Sequence, residues 1–276
     1  MNDIVAGIVL YNPDIERLQE NLLHIARQVS KVICVDNGSK NVDAVNNVLK
    51  NYENVEIIYF SQNKGIACAL NEIVRYAEKN GFSWVLTLDQ DSVCDDSIVQ
   101  HYRNYIERND TKRIGCITCF IKDRNFNDEL NKCQEQDILY CITSGSLMNT
   151  SAMRKVGYFD EKMFIDKVDV DICINLRNHG YRIVQIGYVG LLHEIGHAKQ
   201  INLGFRKWEL YNHSSFRRYY MCRNASYLLL KYQSSYVLSF FLKEIFQTIL
   251  VFLFEKEKML KLKVSVVGFI KGFLIR

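Results

Sequence analysis

Several features that are common in other classes of protein are scarce or missing in this sequence. A single proline and fourteen scattered glycines among 276 residues leave no obvious flexible linker. No uninterrupted apolar run approaches the roughly 18 residues that a transmembrane helix needs. The first residues show no basic region followed by a long apolar run and a cleavage site. We therefore expect a cytosolic protein without a secretory signal.

An excess of charge of one sign is missing from most of the chain. The net charge is +4, and residues 255–276 account for all of it with six basic and two acidic side chains. This distribution argues against general nucleic-acid binding and indicates one basic tail. Hydrophobic residues make up 48% of the sequence, which is ordinary for a globular protein and excludes disorder as the default.

The nine cysteines do not have the pattern of a disulfide framework. Their number is odd and their spacing is irregular, which predicts reduced thiols. Cys116 and Cys119 form the only close pair in the sequence. Cys133 and Cys141 are poorly spaced to supply the second pair of a structural zinc site. We expect buried or incidental thiols.

Apolar runs of strand length alternate with stretches of helical periodicity through the first part of the chain. The predicted strands are residues 4–10, 31–35, 55–60 and 84–88. The first of the predicted helices between them begins at Pro13 and Asp14. The other two span residues 42–50 and 66–79. This β-α-β alternation predicts a doubly wound, parallel α/β sheet.

The fourth predicted strand ends in two carboxylates, Asp89 and Asp91, separated by one residue. Ligands of open α/β sheets collect at the carboxyl ends of the strands, which is where these side chains would lie. Two carboxylates there would suit Mg²⁺ or Mn²⁺. A strand followed by a polar turn is the simpler alternative, because Asp-x-Asp is common by chance. Asp36 stands at another strand end, just before the turn residues Asn37 and Gly38.

Two later stretches also carry candidate functional residues. Residues 143–146 form a small-residue loop that would let a ligand approach the backbone closely. Asp166, Asp169 and Asp171 crowd the start of a predicted helix. Carboxylates at that position are also favoured by the helix macrodipole alone, so the pattern has a purely structural alternative.

Seven short motifs together resemble the inverting glycosyltransferases of family 2, which have the GT-A fold, and most closely the bacterial rhamnosyltransferase branch. The resemblance covers roughly residues 4–230. The motifs are Tyr11-Asn12-Pro13, Val35-Asp36-Asn37-Gly38-Ser39, Asn63-Lys64-Gly65-Ile66-Ala67, Asp89-Gln90-Asp91, Thr143-Ser144-Gly145-Ser146, residues 164–177 and Arg218-Tyr219-Tyr220-x-x-Arg223-Asn224. The fold that it implies is Rossmann-like with a mostly parallel sheet, as a catalytic domain over residues 1–210.

The resemblance also implies roles for individual residues. It places Asp91 and His193 at a Mg²⁺ or Mn²⁺ ion and makes Asp169 the base that takes the acceptor hydroxyl proton. It places Ser144, Gly145, Ser146 and Asp166 on the acceptor side. The residues it implies for donor binding are Tyr11, Asp36, Asn63, Lys64, Gly65, Asp89 and Arg223. The sequence departs from the family at one position: Val168 stands where the family usually has a Glu directly before the catalytic Asp.

The segment from His193 to His197 is also a literal His-Glu-x-x-His motif. In zinc hydrolases this motif lies on a helix, with both histidines on one face and the glutamate activating water. Here the preceding residues predict a strand and a turn, and Gly196 would weaken a helix. A zinc hydrolase remains a remote alternative, as does a non-catalytic subunit that binds nucleotide sugar.

Residues 211–276 are expected to form a helical appendage. Apolar residues dominate from Tyr236 to Phe254, although Lys243, Glu244 and Gln247 interrupt them. The lysines after residue 255 are mixed with many large apolar residues, a combination that suits helices lying in an anionic membrane surface. Packing on the catalytic domain or on a second copy of the chain is the alternative.

The resemblance implies transfer of L-rhamnose from dTDP-rhamnose to a polyprenyl-linked glycan acceptor during assembly of a bacterial surface polysaccharide. UDP-galactose and UDP-N-acetylglucosamine are alternative donors. We expect a cytoplasmic protein that is peripheral on the inner leaflet of the cytoplasmic membrane and does not bind nucleic acid. The sequence leaves open whether the chain forms a homo-oligomer.

Overall fold

The chain forms two compact units in a computed structural model that describes residues 4–124, 133–193, 199–202 and 207–275. The first unit comprises Met1–Lys162 and Val168–Glu194, and the second comprises Met163–Lys167 and Ile195–Arg276. The domain boundary expected at residue 210 stays a prediction.

The first unit is an α/β unit, as the alternation of apolar runs predicts. Its strands are β1 (Ile4–Leu10), β2 (Val32–Asp36), β3 (Val55–Tyr59), β4 (Trp84–Asp89), β5 (Val93–Cys94), β6 (Ile114–Asp123), β7 (Gln136–Asp137), β8 (Ser146–Asn149) and β9 (Arg182–His193). Its helices are α1 (Ile15–Ile25), α2 (Val42–Leu49), α3 (Ile66–Lys79), α4 (Ile98–Arg108), α5 (Thr150–Val156) and α6 (Val168–Asn178). The first four strands and the three helices between them are confirmed within one or two residues.

The strands of the first unit form one mixed sheet in the order β3-β2-β1-β4-β8-β6-β9-β5, with β7 pairing to β9. Strands β3, β2, β1 and β4 pair in parallel, and so do β6 and β9. Strand β8 is antiparallel to both β4 and β6, so these two strands share one direction. The mostly parallel sheet of the prediction is confirmed, but the purely parallel sheet is not.

Alternate residues of each strand point to opposite faces of the sheet. The side chains on both faces are mainly apolar, and helices cover both faces. Ile4 and Ile8 of β1 belong to a core cluster that contains the apolar face of α1. Val5 belongs to a second cluster that contains Ile73 of α3. Between them, a Cβ on Gly7 would lie 2.2 Å from Ile73 Cγ2, so this glycine permits the close approach of α3.

The shared direction of the strands determines where polar side chains gather. Strands β1, β2, β4 and β9 end at or just before Tyr11, Asp36, Asp89 and His193. Because these strands run the same way, their carboxyl ends lie along one edge of the sheet, the edge at which α/β proteins bind ligands.

The second unit is mainly helical, which confirms the predicted C-terminal helices. It contains β10 (Lys199–Asn202), β11 (Lys207–Leu210), α7 (Ser215–Tyr232), α8 (Ser235–Phe254) and α9 (Lys258–Gly272). Helix α9 lies against α7 through two glycines one turn apart. A Cβ on Gly268 would lie 2.5 Å from the Tyr219 carbonyl oxygen, and one on Gly272 would lie 2.1 Å from that of Arg223.

Ion pairs occupy the interior of the helical unit. The Arg218 guanidinium donates to Glu244 Oε1 at 2.8 Å and to Thr248 Oγ1 at 2.7 Å, and all three side chains are buried. A second buried pair joins Lys261 Nζ to Glu255 Oε2 at 2.8 Å. Buried charges are costly unless they are paired and hydrogen bonded, and these are.

Large apolar side chains lie on the outside of the same unit. The exposed ones on α8 and α9 are Leu238, Leu242, Ile245, Phe246, Ile249, Leu253, Phe254, Met259, Leu260, Val266, Val267 and Ile270. Among the described residues, Ser235–Phe254 is the one helix whose length and mean hydropathy of 1.9 suit a membrane span, and 28% of that window is buried in the protein.

Candidate functional site

Asp89, Asp91 and His193 come together at the carboxyl edge of the sheet. Each offers a ligand atom, these atoms all lie within 4.8 Å of one another, and each side chain is half-buried. Asp89 ends β4, Asp91 lies in the turn after it, and His193 ends β9. Among the described residues, this is the only group of three or more His, Cys, Asp or Glu side chains that meets this distance limit.

The short strand β5 explains how His193 reaches a turn that is more than a hundred residues earlier in the sequence. In the antiparallel pair of β5 and β9, Val93 lies opposite Leu192 and Cys94 lies opposite Leu191. One step further along this register brings Ser92 opposite His193. The pairing of β5 and β9 therefore brings the end of β9 back to the Asp-x-Asp turn.

The three ligand atoms fit a divalent cation. Two carboxylates and one imidazole are a donor set that suits Mn²⁺ through all three groups, and Mg²⁺ chiefly through the carboxylates. Ligand atoms about 2.1 Å from one ion cannot be much more than about 4.2 Å apart. Atoms within 4.8 Å of one another reach that geometry after small rotations of the side chains.

Two neighbouring side chains fix the end of β4. Asn21 Nδ2 donates to the Asp89 carbonyl oxygen at 2.7 Å, and the Asp89 amide donates to Ser144 Oγ at 3.0 Å. Asn21 lies on the otherwise apolar inner face of α1 and is fully buried. The backbone that carries the first carboxylate is thus held from two sides.

Tyr11 and Gln90 link the first strand end to the Asp-x-Asp turn. The Tyr11 amide donates to Gln90 Oε1 at 2.8 Å, and Gln90 Nε2 donates back to the Tyr11 carbonyl oxygen at 3.4 Å. The Tyr11 side chain is exposed, so its ring is available at the same edge as the two carboxylates.

Asp36 is buried at the end of β2, and among the described residues only one of its carboxylate oxygens accepts a hydrogen bond. Its Oδ2 accepts a hydrogen bond from the Ser39 amide at 3.1 Å. Its Oδ1 is buried and has no hydrogen-bond partner among the residues that the structure describes. A buried carboxylate oxygen without a donor is unfavourable, which is the situation that a ligand N–H would relieve.

Asn63, Lys64 and Gly65 are joined to the turn after β2. Asn37 Nδ2 donates to Asn63 Oδ1 at 3.0 Å and to the Gly65 carbonyl oxygen at 3.2 Å, while its Oδ1 accepts from the Lys64 amide at 2.8 Å. Gly38 (φ 81°) lies so close that an added Cβ would be 2.7 Å from the Gln62 carbonyl carbon. Hydrogen bonds and close packing therefore join the two loops beside the end of β2.

The hydroxyl groups of Ser144 and Ser146 are buried and bonded within the protein. Ser146 Oγ donates to the Ile142 carbonyl oxygen at 2.6 Å, and Ser144 Oγ donates to Ser92 Oγ at 2.8 Å. The Gly145 amide donates to the Thr87 carbonyl oxygen at 2.8 Å. Their acceptor-side role stays a prediction, and these contacts bind the loop to the end of β4.

Asp169 is the second residue of α6 and is half-buried. The Val170 amide donates to its Oδ1 at 2.9 Å. Asp171, two residues later, is 1% exposed, so of these two carboxylates Asp169 is the one that solvent or substrate reaches more readily.

The remaining predicted residues lie in the second unit. Asp166 (φ 66°) is ion-paired with Arg217, whose Nη2 is 3.1 Å from Asp166 Oδ1. Arg223 donates to Asn224 Oδ1 at 2.9 Å, and its guanidinium lies 5.5 Å from the Tyr220 ring centroid. Asn224 Nδ2 in turn donates to the carbonyl oxygens of Ile165 and Asp166 at 2.8 Å each. The predicted roles of Asp166 and Arg223 stay predictions.

A sequence model of the family described as glycosyl transferase family 2 matches residues 6–161, which is more than half of the chain. The chain belongs to glycosyl transferase family 2. This family membership confirms the resemblance that the seven motifs suggested.

Two curated relatives of this family 2 glycosyltransferase differ in how much of it they match. It is 27% identical over 289 aligned positions to the dTDP-rhamnosyl transferase RfbF of Shigella flexneri, covering 98% of this chain and 95% of that one. It is 28% identical over 188 positions to a poly-beta-1,6-N-acetyl-D-glucosamine synthase of Staphylococcus aureus. The second match covers 61% of this chain and only 44% of the synthase.

Solved structures confirm the GT-A fold of this glycosyltransferase. S. aureus TarS residues 1–349, in complex with UDP-GlcNAc, align with a TM-score of 0.66 at 14% identity over 98% of this chain and 81% of TarS. GalNAc-T7, with UDP, GalNAc and Mn²⁺, aligns with a TM-score of 0.56 at 10% identity over 82% of this chain and 51% of that one.

The geometry around His193 differs from that of the zinc-hydrolase alternative. His193 is the last residue of strand β9, whereas the hydrolase motif needs its first histidine on a helix. Glu194 and His197 lie outside the described residues. The group that His193 joins here is the pair of carboxylates after β4.

Sequence reasoning missed two supporting residues, Asn21 and Ser92. Asn21 could have been noticed, because it is a polar residue between Leu18, Leu22 and Ile25 on the apolar face of α1. Ser92 gave no signal by itself, because its importance depends on a strand pairing with residues a hundred positions away.

Proposed function

We propose that this family 2 glycosyltransferase transfers L-rhamnose from dTDP-rhamnose to a polyprenyl-linked glycan acceptor in the assembly of a bacterial surface polysaccharide. The observation that carries the choice of sugar is the similarity to the S. flexneri dTDP-rhamnosyl transferase, which extends over 98% of this chain and 95% of the relative. The match to the N-acetylglucosamine polymerase covers only 61% of this chain.

The nucleobase of the donor would bind at the ends of β1 and β2. The unpartnered Oδ1 of Asp36 supports this proposal, because thymine and uracil both carry an N3–H that can donate a hydrogen bond to it. The exposed ring of Tyr11 lies at the neighbouring strand end and could stack on the base. Asn63, Lys64 and Gly65 line the adjoining loop and would contact the rest of the donor.

The diphosphate would lie beside Asp89, Asp91 and His193. A Mg²⁺ or Mn²⁺ ion held by these three side chains would offset the negative charge that develops on the diphosphate leaving group. Arg223 is our candidate for an additional phosphate contact, because a guanidinium can donate two parallel hydrogen bonds to phosphate oxygens.

Asp169 would accept the proton of the acceptor hydroxyl as that oxygen attacks the anomeric carbon with inversion. Its partial exposure supports the role, since a base must be within hydrogen-bond reach of the acceptor. The backbone of Ser144, Gly145 and Ser146, together with Asp166, is proposed for the acceptor side.

A UDP-sugar donor, such as UDP-galactose or UDP-N-acetylglucosamine, is the second candidate. Two structures with a similar fold, TarS in complex with UDP-GlcNAc and GalNAc-T7 with UDP, favour it. Thymine differs from uracil only by a methyl group, and a methyl group in an apolar contact changes affinity by about 1–3 kcal/mol.

Calorimetric titration of the purified protein with dTDP and with UDP, each with and without Mn²⁺, tests both candidates. We expect tighter binding of dTDP, and binding that depends on Mn²⁺. A preference for UDP would indicate a UDP-sugar as the donor and would leave the proposed reaction type unchanged. Absence of binding for both nucleotides, in the presence of Mn²⁺, would contradict the proposal.

We further propose that the helical unit attaches the enzyme to the inner, cytoplasmic leaflet of the membrane as a peripheral protein. Large apolar side chains cover the outer surfaces of α8 and α9. Lys256, Lys258, Lys263 and Lys271 are exposed among them. Apolar residues together with lysines are attracted to anionic lipid headgroups, where each lysine contributes about 1 kcal/mol.

Co-sedimentation with lipid vesicles tests this attachment. Vesicles containing phosphatidylserine should bind the protein, and binding should weaken with added salt and with uncharged phosphatidylcholine vesicles. A protein that stays in the supernatant with both vesicle types, and elutes as a dimer or larger species, would instead assign the apolar surface to contacts between copies of the chain.

A further inference from the structure

A chain of three hydrogen bonds connects the backbone of Asp89 to the ring of His193. The Asp89 amide donates to Ser144 Oγ at 3.0 Å, and Ser144 Oγ donates to Ser92 Oγ at 2.8 Å. Ser92 Oγ lies 2.8 Å from His193 Nδ1. Both serines are buried, with 1% and 0% of their surface exposed. The chain therefore joins the two strand ends that carry the proposed metal ligands through the protein interior.

Contact with Ser92 restricts what His193 can do. Its Nδ1 is engaged by the serine hydroxyl, so Nε2 is the nitrogen that remains for another ligand. A histidine that binds a cation through Nε2 carries its proton on Nδ1 and must donate it to an acceptor. Ser92 Oγ can accept this hydrogen bond, because a hydroxyl has two acceptor lone pairs and its hydrogen can rotate.

The position of Ser92 follows from the fold. The turn after β4 places Ser92 next to Asp91, and the pairing of β5 with β9 places it opposite His193. The Ser92 amide donates to the Asp89 carbonyl oxygen at 3.3 Å, which closes the turn itself. Ser144 then holds the hydroxyl group of Ser92 from the other side.

We propose that Ser92, held by Ser144, is a positioning residue that fixes the His193 ring so that Nε2 faces a divalent cation shared with Asp89 and Asp91. The inference rests on the metal site of the proposed function. Its physical basis is that a ring already held in the binding orientation loses less freedom when the cation binds.

The test is a double-mutant cycle on Mn²⁺ affinity, measured by electron paramagnetic resonance of free Mn²⁺ in the presence of dTDP or UDP. Ser92→Ala should raise the Kd for Mn²⁺ about 10- to 100-fold, the usual effect of removing a partner of a metal-ligating histidine. In a His193→Ala background, Ser92→Ala should cause no further change, because the serine acts through the ring.

Three variants separate positioning from a general effect on folding. Ser92→Cys keeps the side chain's shape but replaces the hydroxyl by a weak hydrogen-bonding thiol, so it should lose affinity as Ser92→Ala does. Ser92→Thr retains the hydroxyl and should restore at least part of the affinity. Ser226→Ala, at a fully buried serine of α7, is the matched control and should leave the Kd unchanged.

The outcomes distinguish this inference from the proposal on which it rests. If the unmodified protein binds no Mn²⁺, the metal site itself is contradicted. If it binds Mn²⁺ and Ser92→Ala leaves the Kd unchanged, or the effects of Ser92→Ala and His193→Ala are additive, the positioning role is overturned while the metal site stands.

Discussion

The two units of this glycosyltransferase distribute charge and apolar surface in opposite ways. In the α/β unit, the core clusters are apolar, and Asp89, Asp91 and His193 lie half-buried at the edge of the sheet. Its buried carboxylates, Asp36 and Asp171, lie at the end of β2 and in the first turn of α6. In the helical unit, Arg218 and Glu244 are buried, and large apolar side chains cover the outer surfaces of α8 and α9. The exposed apolar side chains of the helical unit are the basis of the proposed membrane attachment, whereas the α/β unit presents a polar site.

Helix α8 shows that the apolar pattern of a helix does not by itself determine which side faces the protein interior. The sequence of α8 is mostly apolar with Glu244 among the apolar residues, and by the usual rule an apolar face would point inward. In the structure, Glu244 and Thr248 lie inside, and Leu242, Ile249 and Leu253 lie outside. The buried partner of Glu244, Arg218, is 26 residues away, so no local pattern could have assigned the inner face.

The largest effect that we expect comes from the polar site of the α/β unit. Asp169→Asn should reduce glycosyl transfer about 10²- to 10⁴-fold, because the amide cannot take the acceptor proton. Donor affinity in calorimetry should stay nearly unchanged. Asp43→Asn is the matched control, since Asp43 is also the second residue of a helix and is exposed. Near-normal turnover of Asp169→Asn would remove Asp169 as the base.

The carboxylates after β4 should couple nucleotide binding to the metal ion. Asp91→Ala removes one of the three proposed metal ligands while leaving Asp89 and His193 in place. We expect the titration of this variant with dTDP to give the same weak affinity with and without Mn²⁺. If Mn²⁺ raised the dTDP affinity of this variant as much as it does for the unmodified protein, Asp91 would not be a metal ligand.

The interior of the helical unit should be sensitive to the loss of one charge. Arg218→Met leaves Glu244 buried, and among the described residues Lys167, at 3.4 Å, is then its one charged partner. Unfolding in urea should show a loss of about 3–5 kcal/mol, as for other broken buried pairs. Arg154→Met breaks the pair between the exposed Arg154 and the half-buried Glu78 in the α/β unit, and it should cost no more than about 1 kcal/mol. Equal losses would contradict the contrast between the units.

Much of the α/β unit could be predicted from the sequence because its signals are local. The apolar run that ends at Asp89 predicts β4, and helical spacing predicts α3 with its observed bounds, Ile66–Lys79. The joining of His193 to Asp89 and Asp91 could be anticipated only from family resemblance. The supporting contacts of Ser92 and Asn21 could not, because they depend on strand pairing and helix packing between distant segments.

The outer surface of the helical unit should tolerate polar substitutions that a core would not. Leu242→Gln and Leu253→Gln should each change the free energy of unfolding by less than about 0.5 kcal/mol, because both side chains are more than half exposed. The same variants should weaken binding to anionic vesicles. Leu86→Ala in the sheet, by contrast, should cost about 2–5 kcal/mol. A large loss at Leu242 would show that this surface is packed in the folded protein.

The smallest effect that we expect is a different acid sensitivity of the two units. Burial, together with the nearby Arg217, lowers the pKa of His213 below its ordinary 6.5. Hydrogen bonds from Asn71 and Arg75 lower the pKa of Glu161 below 4.5. In both cases the unfolded chain binds the proton more readily, so stability falls as the pH drops below each ordinary value.

The helical unit should begin to lose stability near pH 6.5 and the α/β unit only near pH 4.5, as followed by hydrogen exchange. His213→Asn should remove the first of these losses, and an unchanged pH profile in that variant would contradict this assignment.

The reaction that we propose for this protein is a metal-dependent transfer of L-rhamnose from dTDP-rhamnose. The most direct measurement is the release of nucleoside diphosphate from dTDP-rhamnose, UDP-galactose and UDP-N-acetylglucosamine, with polyprenyl-linked glycans extracted from bacterial membranes as acceptors. We expect release of dTDP that requires Mn²⁺ or Mg²⁺ and stops when a chelator is added. Release of UDP alone, or release of dTDP that the chelator leaves unchanged, would contradict the proposed reaction.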